Sequence, residues 1–219
     1  KISDASRPSK GEFANEKKYW KRFYEKFTLY LYKNGCHDNY VGANVKVIKT
    51  FFNYLKNEKD FDTGDFHRGF YVRKEEIQIF VLSPPQLKFL IDDQDLNDSL
   101  KPRLKIIKDI FIFGCSTGLR FSDIFLLTGK NFDYNGKDCY LKNKSQKTKV
   151  YSQVKLPLHA VEIYLKFVTK DSRAFLFPRI SLFNFNKCLK EIVELADFTD
   201  FVEVSREKQG KVQKVKIAN

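Results

Sequence analysis

The stretch from residue 102 to residue 127 constrains the fold of this chain more than any other. Leu104, Ile107 and Ile110 recur at helical spacing behind Pro102, and proline is tolerated in the first turn of a helix. Gly114 and Gly118 follow and mark the end of the apolar pattern. The sequence therefore predicts a buried helix over 102–113, followed by a tight turn.

That turn carries Arg120 just ahead of a second predicted helix. Ser122 is a suitable N-cap for a helix over Asp123–Leu127. The free amides and the dipole at a helix N-terminus attract anions, so Arg120 is predicted to bind a phosphate. The alternative is that Arg120 forms a purely structural ion pair with Asp123.

The net charge favours a polyanionic partner. The chain has 40 Lys and Arg against 27 Asp and Glu, a net charge of +13. Residues 99–150, which surround Arg120, hold 11 Lys and Arg against 4 Asp and Glu. Nucleic acid is the partner that such a charge distribution fits best, whereas a role in solubility alone is the plainer interpretation.

Neither a metal site nor a membrane segment is expected. The four cysteines are widely separated and lack paired ligand spacing, so we interpret them as reduced and mostly buried. No signal peptide and no long uncharged apolar run occurs, which predicts a cytoplasmic location.

The first part of the chain is predicted to be helical. Aromatic and aliphatic residues from Phe13 to Leu31 recur every three or four positions, and Asn34-Gly35 ends this amphipathic helix. A second helix is predicted over Val41–Leu55. Lys46 and Lys49 lie on its polar face, where they either contact DNA phosphates or are simply solvated.

A domain boundary is expected near the Ser83-Pro84-Pro85 sequence. Residues 70–72 and 77–81 look strand-like or extended, and Ser83 with the prolines can start a new helix. The predicted domains are therefore 1–82 and 83–219.

The second predicted domain mixes helices with short hairpins. Strands are expected at Tyr140–Lys142 and Val150–Leu158, joined by a basic hairpin tip, and helices at 158–169 and 181–196. A terminal hairpin is expected over Phe201–Ile217. The predicted fold class is mainly α with small β-hairpins (α+β).

Two sequence landmarks resemble the tyrosine recombinase (phage integrase) family. They are the string Thr117-Gly118-Leu119-Arg120-Phe121-Ser122-Asp123 and the basic hairpin that ends in Leu156-Pro157-Leu158. The helical first domain also resembles the SAM-like core-binding domain of integrases from bacterial mobile elements. The resemblance covers most of residues 12–200. It implies a DNA-binding domain at 1–82 and the N-terminal part of the catalytic domain at 83–219.

The resemblance also implies a chemistry. In this family a tyrosine attacks a DNA phosphate and forms a 3′-phosphotyrosine link, without a cofactor or metal. Arg120 would be the first phosphate-binding arginine, Asp123 would support the active site, and Lys147 would protonate the leaving 5′-oxygen. Lys147 could equally be a solvated lysine, and its neighbours on the hairpin compete for the role. The residues predicted to contact DNA are Lys46, Lys49, Arg103, Lys105, Lys144 and Lys149, with Lys101 and Lys108 as further members of the set around the start of the helix over 102–113.

The sequence departs from the family pattern after the hairpin. No histidine follows His159 and no tyrosine follows Tyr164, so the family's His-x-x-Arg sequence and tyrosine nucleophile are missing. His159 is interpreted as a helix-start residue. We therefore expect a truncated recombinase that cannot cleave DNA, with duplex DNA as its partner and assembly into a homotetramer left open. The alternatives are a non-catalytic DNA-binding protein, such as an accessory factor or a decayed integrase, and a basic protein that binds another protein or structured RNA.

Overall fold

The computed structural model describes residues 10–77, 79, 81–198 and 201–218 of the chain. It divides into two compact units, one formed by the residues up to Ile79 together with Phe201–Ala218, and the other by the residues between them. Helices dominate both, and the strands form small antiparallel sheets, which confirms the predicted fold class. Within the described ranges, no helix has the length and apolar character needed to cross a membrane.

The first unit contains two long helices, α1 (Lys10–Lys33) and α2 (Asp38–Glu58), and a short 3₁₀ helix at Phe66–Gly69. Its small core contains Tyr32, Val41, Val45 and Phe70. The two predicted helices are present, and each is longer than the apolar pattern that predicted it. The amphipathic pattern of α1 and α2 therefore reflects packing of their apolar faces.

The extended segments expected at 70–72 and 77–81 form no strand in the described part of this region. Residues 78 and 80 lie outside the described residues. Phe70 instead packs among the aromatic side chains of the helices, with its ring 5.4 Å from the ring of Tyr24. Of residues 70–72, Phe70 is thus buried in the core, whereas Tyr71 is exposed, and the segment forms no sheet.

The terminal hairpin consists of β4 (Phe201–Lys208) and β5 (Lys211–Ala218), paired in register from Phe201↔Ala218 to Lys208↔Lys211. Its two-residue turn has positive φ at both Gln209 (57°) and Gly210 (74°), as tight hairpin turns require. The hairpin had been included in the domain predicted at 83–219, whereas in the structure it groups with the first unit.

Two buried carboxylates of the first unit explain that grouping. The Glu75 side chain is fully buried and accepts hydrogen bonds from Arg206 Nη2 (3.0 Å) and from the Glu207 amide (2.6 Å). Asp38, which is 1% exposed, accepts from the amides of Gln209 and Gly210, each at 2.8 Å. Although burial raises the pKa of Glu75, the bonds from Arg206 and Glu207 lower it overall.

The second unit has six α-helices, a 3₁₀ helix at Gly129–Asn131 and one three-stranded sheet among its described residues. The sheet has the antiparallel order β1-β2-β3. In chain order the elements are α3 (Pro84–Asp92), α4 (Gln94–Ser99), α5 (Pro102–Thr117), α6 (Phe121–Ile124), β1 (Phe132–Tyr134), β2 (Cys139–Lys144), β3 (Tyr151–Lys155), α7 (Leu158–Phe167) and α8 (Leu182–Leu195). Ser83 caps α3 as expected, while α4 and β1 were not predicted from the sequence.

Helix α5 is the centre of this unit and packs against α7 and α8. It passes through Gly114 and ends at Thr117, so the expected end near residue 113 was wrong. Gly118 ends it instead, because its φ of +65° lets its amide bond back to the Gly114 carbonyl at 2.9 Å. Phe113 on this helix is fully buried.

Candidate functional site

Arg120 lies at the junction between α5 and α6. Its backbone is extended (φ −67°, ψ 148°), and its carbonyl accepts the amides of Asp123 and Ile124, so Arg120 itself occupies the N-cap position of α6. The expected N-cap at Ser122 was therefore wrong, because the helix begins at Phe121, one residue before Ser122. The turn leaves the Arg120 side chain half exposed.

The guanidinium of Arg120 has two neighbours. Its Nη1 donates to Ser145 Oγ at 2.6 Å and lies 4.0 Å from Asp123 Oδ2. The distance to the carboxylate is too long for a hydrogen bond. The guanidinium therefore keeps donors for a planar oxyanion such as a phosphate, which arginine can bind in a bidentate way.

Asp123 joins this turn to the β2–β3 hairpin. Its side chain is 3% exposed, and its Oδ1 accepts the backbone amide of Gln146 at 3.3 Å. Asp123 thus faces Arg120 with Oδ2 and accepts a hydrogen bond from the hairpin turn with Oδ1. Sequence reasoning did not identify Ser145 or Gln146 as partners, because no local spacing rule connects positions more than twenty residues apart.

The turn of the β2–β3 hairpin carries Lys147 at an exposed position. Strand pairing ends at Lys144↔Tyr151, and the Ser145 amide donates to the Val150 carbonyl at 3.0 Å. Lys149 closes the turn with a φ of +58°. The Lys147 ammonium forms no hydrogen bond or ion pair with any residue that the structure describes, so it remains available to a ligand.

Two of the other hairpin lysines have partners, whereas the Lys149 ammonium has none among the described residues. Lys142 forms an ion pair with Asp133 at 3.1 Å, and Lys144 lies 4.8 Å from the centre of the Tyr151 ring. Cation–π and ion-pair contacts of this kind hold a side chain without removing its charge. Of the two hairpin lysines without a side-chain partner in the described part of the chain, Lys147 is nearer in sequence than Lys149 to Ser145, the residue that Arg120 contacts.

Comparison with known proteins gives a likeness at the level of structure. No family model matches the sequence, and no curated protein matches it. A solved structure of the Tn1549 transposon integrase (residues 82–397), in complex with circular intermediate DNA, matches 85% of this chain and 66% of that one, with 14% identity and a TM-score of 0.52. The chain has an integrase fold.

A second solved structure, the XerH site-specific recombinase bound to its difH substrate in a pre-cleavage complex, matches 67% of this chain and 45% of that one. The identity is 15% and the TM-score is 0.47. This chain thus spans about half to two thirds of the chains it matches. The likeness to the Tn1549 integrase confirms the predicted resemblance for the fold alone.

The remaining predicted DNA contacts are distributed over both units of this integrase fold. Lys46 is exposed on α2, whereas the Lys49 ammonium donates to the carbonyls of Arg68 (3.2 Å) and Phe70 (3.0 Å). On α5, Arg103 is exposed and Lys105 is partly buried. Within the second unit, no hydrogen bond or ion pair among the described residues joins Arg103 or Lys105 to Arg120. The role of all four side chains in DNA binding remains a prediction.

The N-terminal turn of α7 is tied to the C-terminal turn of α5. His159 is the second residue of α7, and its Nε2 lies 2.8 Å from Ser116 Oγ, which itself donates to the Ile112 carbonyl. This contact holds in place the end of the helix from which the Arg120 turn emerges. His159 is thus a helix-start residue, as interpreted from the sequence.

The cysteines have no nucleophilic setting. All four are free thiols, and Cys139 and Cys188 are buried while Cys115 is exposed. Burial raises the pKa of the Cys139 thiol, which disfavours the reactive thiolate.

Proposed function

We propose that this chain is the DNA-binding part and the first catalytic part of a tyrosine recombinase that integrates a mobile element or phage. In this proposal residues 1–82 bind DNA as a core-binding domain and residues 83–198 belong to the catalytic domain, while the terminal hairpin packs with the first unit. Recombinases of this type cut and rejoin strands through a 3′-phosphotyrosine, and need no cofactor or metal. The integrase fold supports the proposal, and the arrangement around Arg120 supports the choice of site.

The observation that carries the proposal is the contact of Arg120 with the hairpin turn. Arg120 Nη1 bonds to Ser145 Oγ at 2.6 Å, and Lys147 lies two residues further along that turn. A half-exposed guanidinium and a free ammonium on adjoining turns form a site for one phosphodiester group. Arg120 would stabilise the phosphoryl oxygens, Lys147 would give a proton to the leaving 5′-oxygen, and Asp123 would hold both turns.

The test is the salt dependence of binding to duplex DNA, measured by fluorescence anisotropy. Arg120→Ala is expected to weaken binding and to reduce the slope of log affinity against log salt by about one, since one phosphate contact is lost. Lys147→Met is expected to act in the same way. Arg173→Ala serves as the matched control, because Arg173 is exposed in the same unit and carries no predicted role. An Arg120→Ala slope equal to those of the wild type and the control would contradict the assignment.

A second candidate function is a non-catalytic DNA-binding protein, such as an accessory factor or a decayed integrase. The observation that favours it is that the Arg120 guanidinium contacts Ser145 and Asp123, and no tyrosine hydroxyl, among the described residues. Both candidates predict steep salt dependence, and both predict that this chain binds a nicked duplex without a covalent adduct. A longer product of the same reading frame would separate them, because it forms the adduct only if it is a recombinase. We propose that the 219-residue chain binds this substrate without forming a covalent adduct. An adduct that survives denaturation would show that one of its own residues serves as the nucleophile.

A further inference from the structure

A small cavity lies between α3, α5 and α7 of the second unit, away from the contacts of Arg120. Its volume is about 190 Å³, which corresponds to the share of liquid volume of roughly six water molecules. Ile91, Ile112 and Ile163 form its apolar walls. The cavity therefore has room for a small molecule with a short hydrocarbon part.

Lys108 lines this cavity and is the unusual feature of the site. The residue is 4% exposed, yet its ammonium forms no hydrogen bond or ion pair with any described residue. Buried lysines are rare unless they are paired, because burial disfavours the charged form. Burial accordingly lowers the pKa of Lys108, with the neighbouring Asp109 acting in the opposite direction.

The other charged groups around the cavity leave Lys108 without a counter-ion. Asp109 is already paired with Lys166 at 2.5 Å, and the His159 ring is bonded to Ser116. Glu162 is exposed and belongs to the rim. The cavity is therefore lined by one buried cation without a partner among the described residues and by three aliphatic side chains.

We propose that this cavity binds a short aliphatic carboxylate, with its carboxylate group on the Lys108 ammonium and its hydrocarbon chain against the three isoleucines. A monoanion matches the single unpaired cation. A phosphate dianion does not, because it carries one negative charge more than Lys108 can neutralise and the isoleucines offer it no donors. The proposal is independent of DNA binding at Arg120.

The test is a titration of the chain with isovalerate, followed by NMR of the isoleucine methyl groups and by calorimetry. Saturable one-to-one binding is expected, with the largest shifts at Ile91, Ile112 and Ile163. Isovaleramide, the uncharged analogue, is expected to bind at least about tenfold more weakly, since a charge-assisted hydrogen bond is lost. Inorganic phosphate is expected not to bind in the cavity.

Lys108→Met is the decisive variant, because methionine fills a similar volume without the charge. It is expected to keep the wild-type melting temperature and to lose isovalerate binding by at least about tenfold. Lys187→Met, the same change at an exposed position of α8, should bind as the wild type does. The proposal is overturned if Lys108→Met binds isovalerate as tightly as the wild type does, if isovaleramide binds as tightly as isovalerate, or if the methyl shifts lie elsewhere. It is also overturned by the absence of saturable binding, or by binding of phosphate in place of the carboxylate.

Discussion

Replacing Asp38 with asparagine tests how the terminal hairpin is held on the first unit. Asp38 is 1% exposed and accepts three hydrogen bonds. The donors are the Tyr32 hydroxyl at 2.6 Å and the amides of Gln209 and Gly210 at 2.8 Å each. Asp38→Asn keeps the shape of the side chain, but it replaces one accepting oxygen with an NH₂ group that can only donate.

The expected loss follows from these three bonds. If the asparagine oxygen keeps the partners of Oδ1, its NH₂ group faces the Gly210 amide, and a buried donor without an acceptor costs about 1–3 kcal/mol. The two bonds that remain lose the strength that a charged acceptor gives them, which is about 1 kcal/mol each. We therefore expect Asp38→Asn to destabilise hairpin docking by about 3–5 kcal/mol.

Hydrogen exchange at the Gln209 and Gly210 amides measures this effect directly. A loss of about 3–5 kcal/mol corresponds to exchange that is roughly a hundred- to several-thousandfold faster. Asp60→Asn is the matched control, because Asp60 is exposed and asparagine tolerates its left-handed backbone (φ 53°). Equal exchange rates in the two variants would refute the assignment of Asp38 as the hairpin anchor.

Three further predictions concern stability. Burial lowers the pKa of His67, so the unfolded chain binds a proton at a higher pH than the folded chain does, and the free energy of unfolding should fall as the pH drops below about 6.5. Urea unfolding at several pH values should show that this free energy depends less on pH in His67→Gln. The same pH dependence in the variant and the wild type would contradict this cause. Gly118→Ala should lower the free energy of unfolding by about 1 kcal/mol, because φ is +65° there. Gly11→Ala in α1 is the control, since an added Cβ meets no atom there and the fold should not be destabilised. Equal melting temperatures of the two variants would exclude the backbone argument. Phe113→Ala should lower the free energy of unfolding by about 3–5 kcal/mol. Phe183→Ala should lower it far less, because Phe183 is 78% exposed. Similar denaturation midpoints of the two variants would show that Phe113 is not central to the core.

The local features of this fold could be predicted from the sequence because their causes are local. Apolar spacing predicted α1, α2, α5, α7 and α8, and the β2–β3 hairpin was predicted from its partly alternating strands and polar tip. The errors fall at element ends and in short elements. The helix α5 continues through Gly114 because α7 and α8 pack around it, and tertiary packing of this kind outweighs the weak helix propensity of one glycine.

The parts that could not be predicted depend on contacts between distant positions. Asp38 meets Gln209 and Gly210 across more than 170 residues, and Glu75 meets Arg206 across 131. A carboxylate in the sequence gives no indication of which backbone amides will donate hydrogen bonds to it. The same limit applies to the candidate site, where Arg120 and Asp123 stood out in the sequence but Ser145 did not.

The proposed site also raises a question of charge, because a buried carboxylate beside Arg120 would weaken the attraction of a phosphate. The geometry limits this effect. Asp123 Oδ2 is 4.0 Å from Arg120 Nη1, and since the guanidinium is half exposed, water screens the pair to about 1 kcal/mol or less. The other oxygen of Asp123 is occupied by the Gln146 amide. In the proposed function Asp123 therefore positions the turn of Lys147 relative to Arg120, while the two cations together keep the site positive toward a phosphodiester.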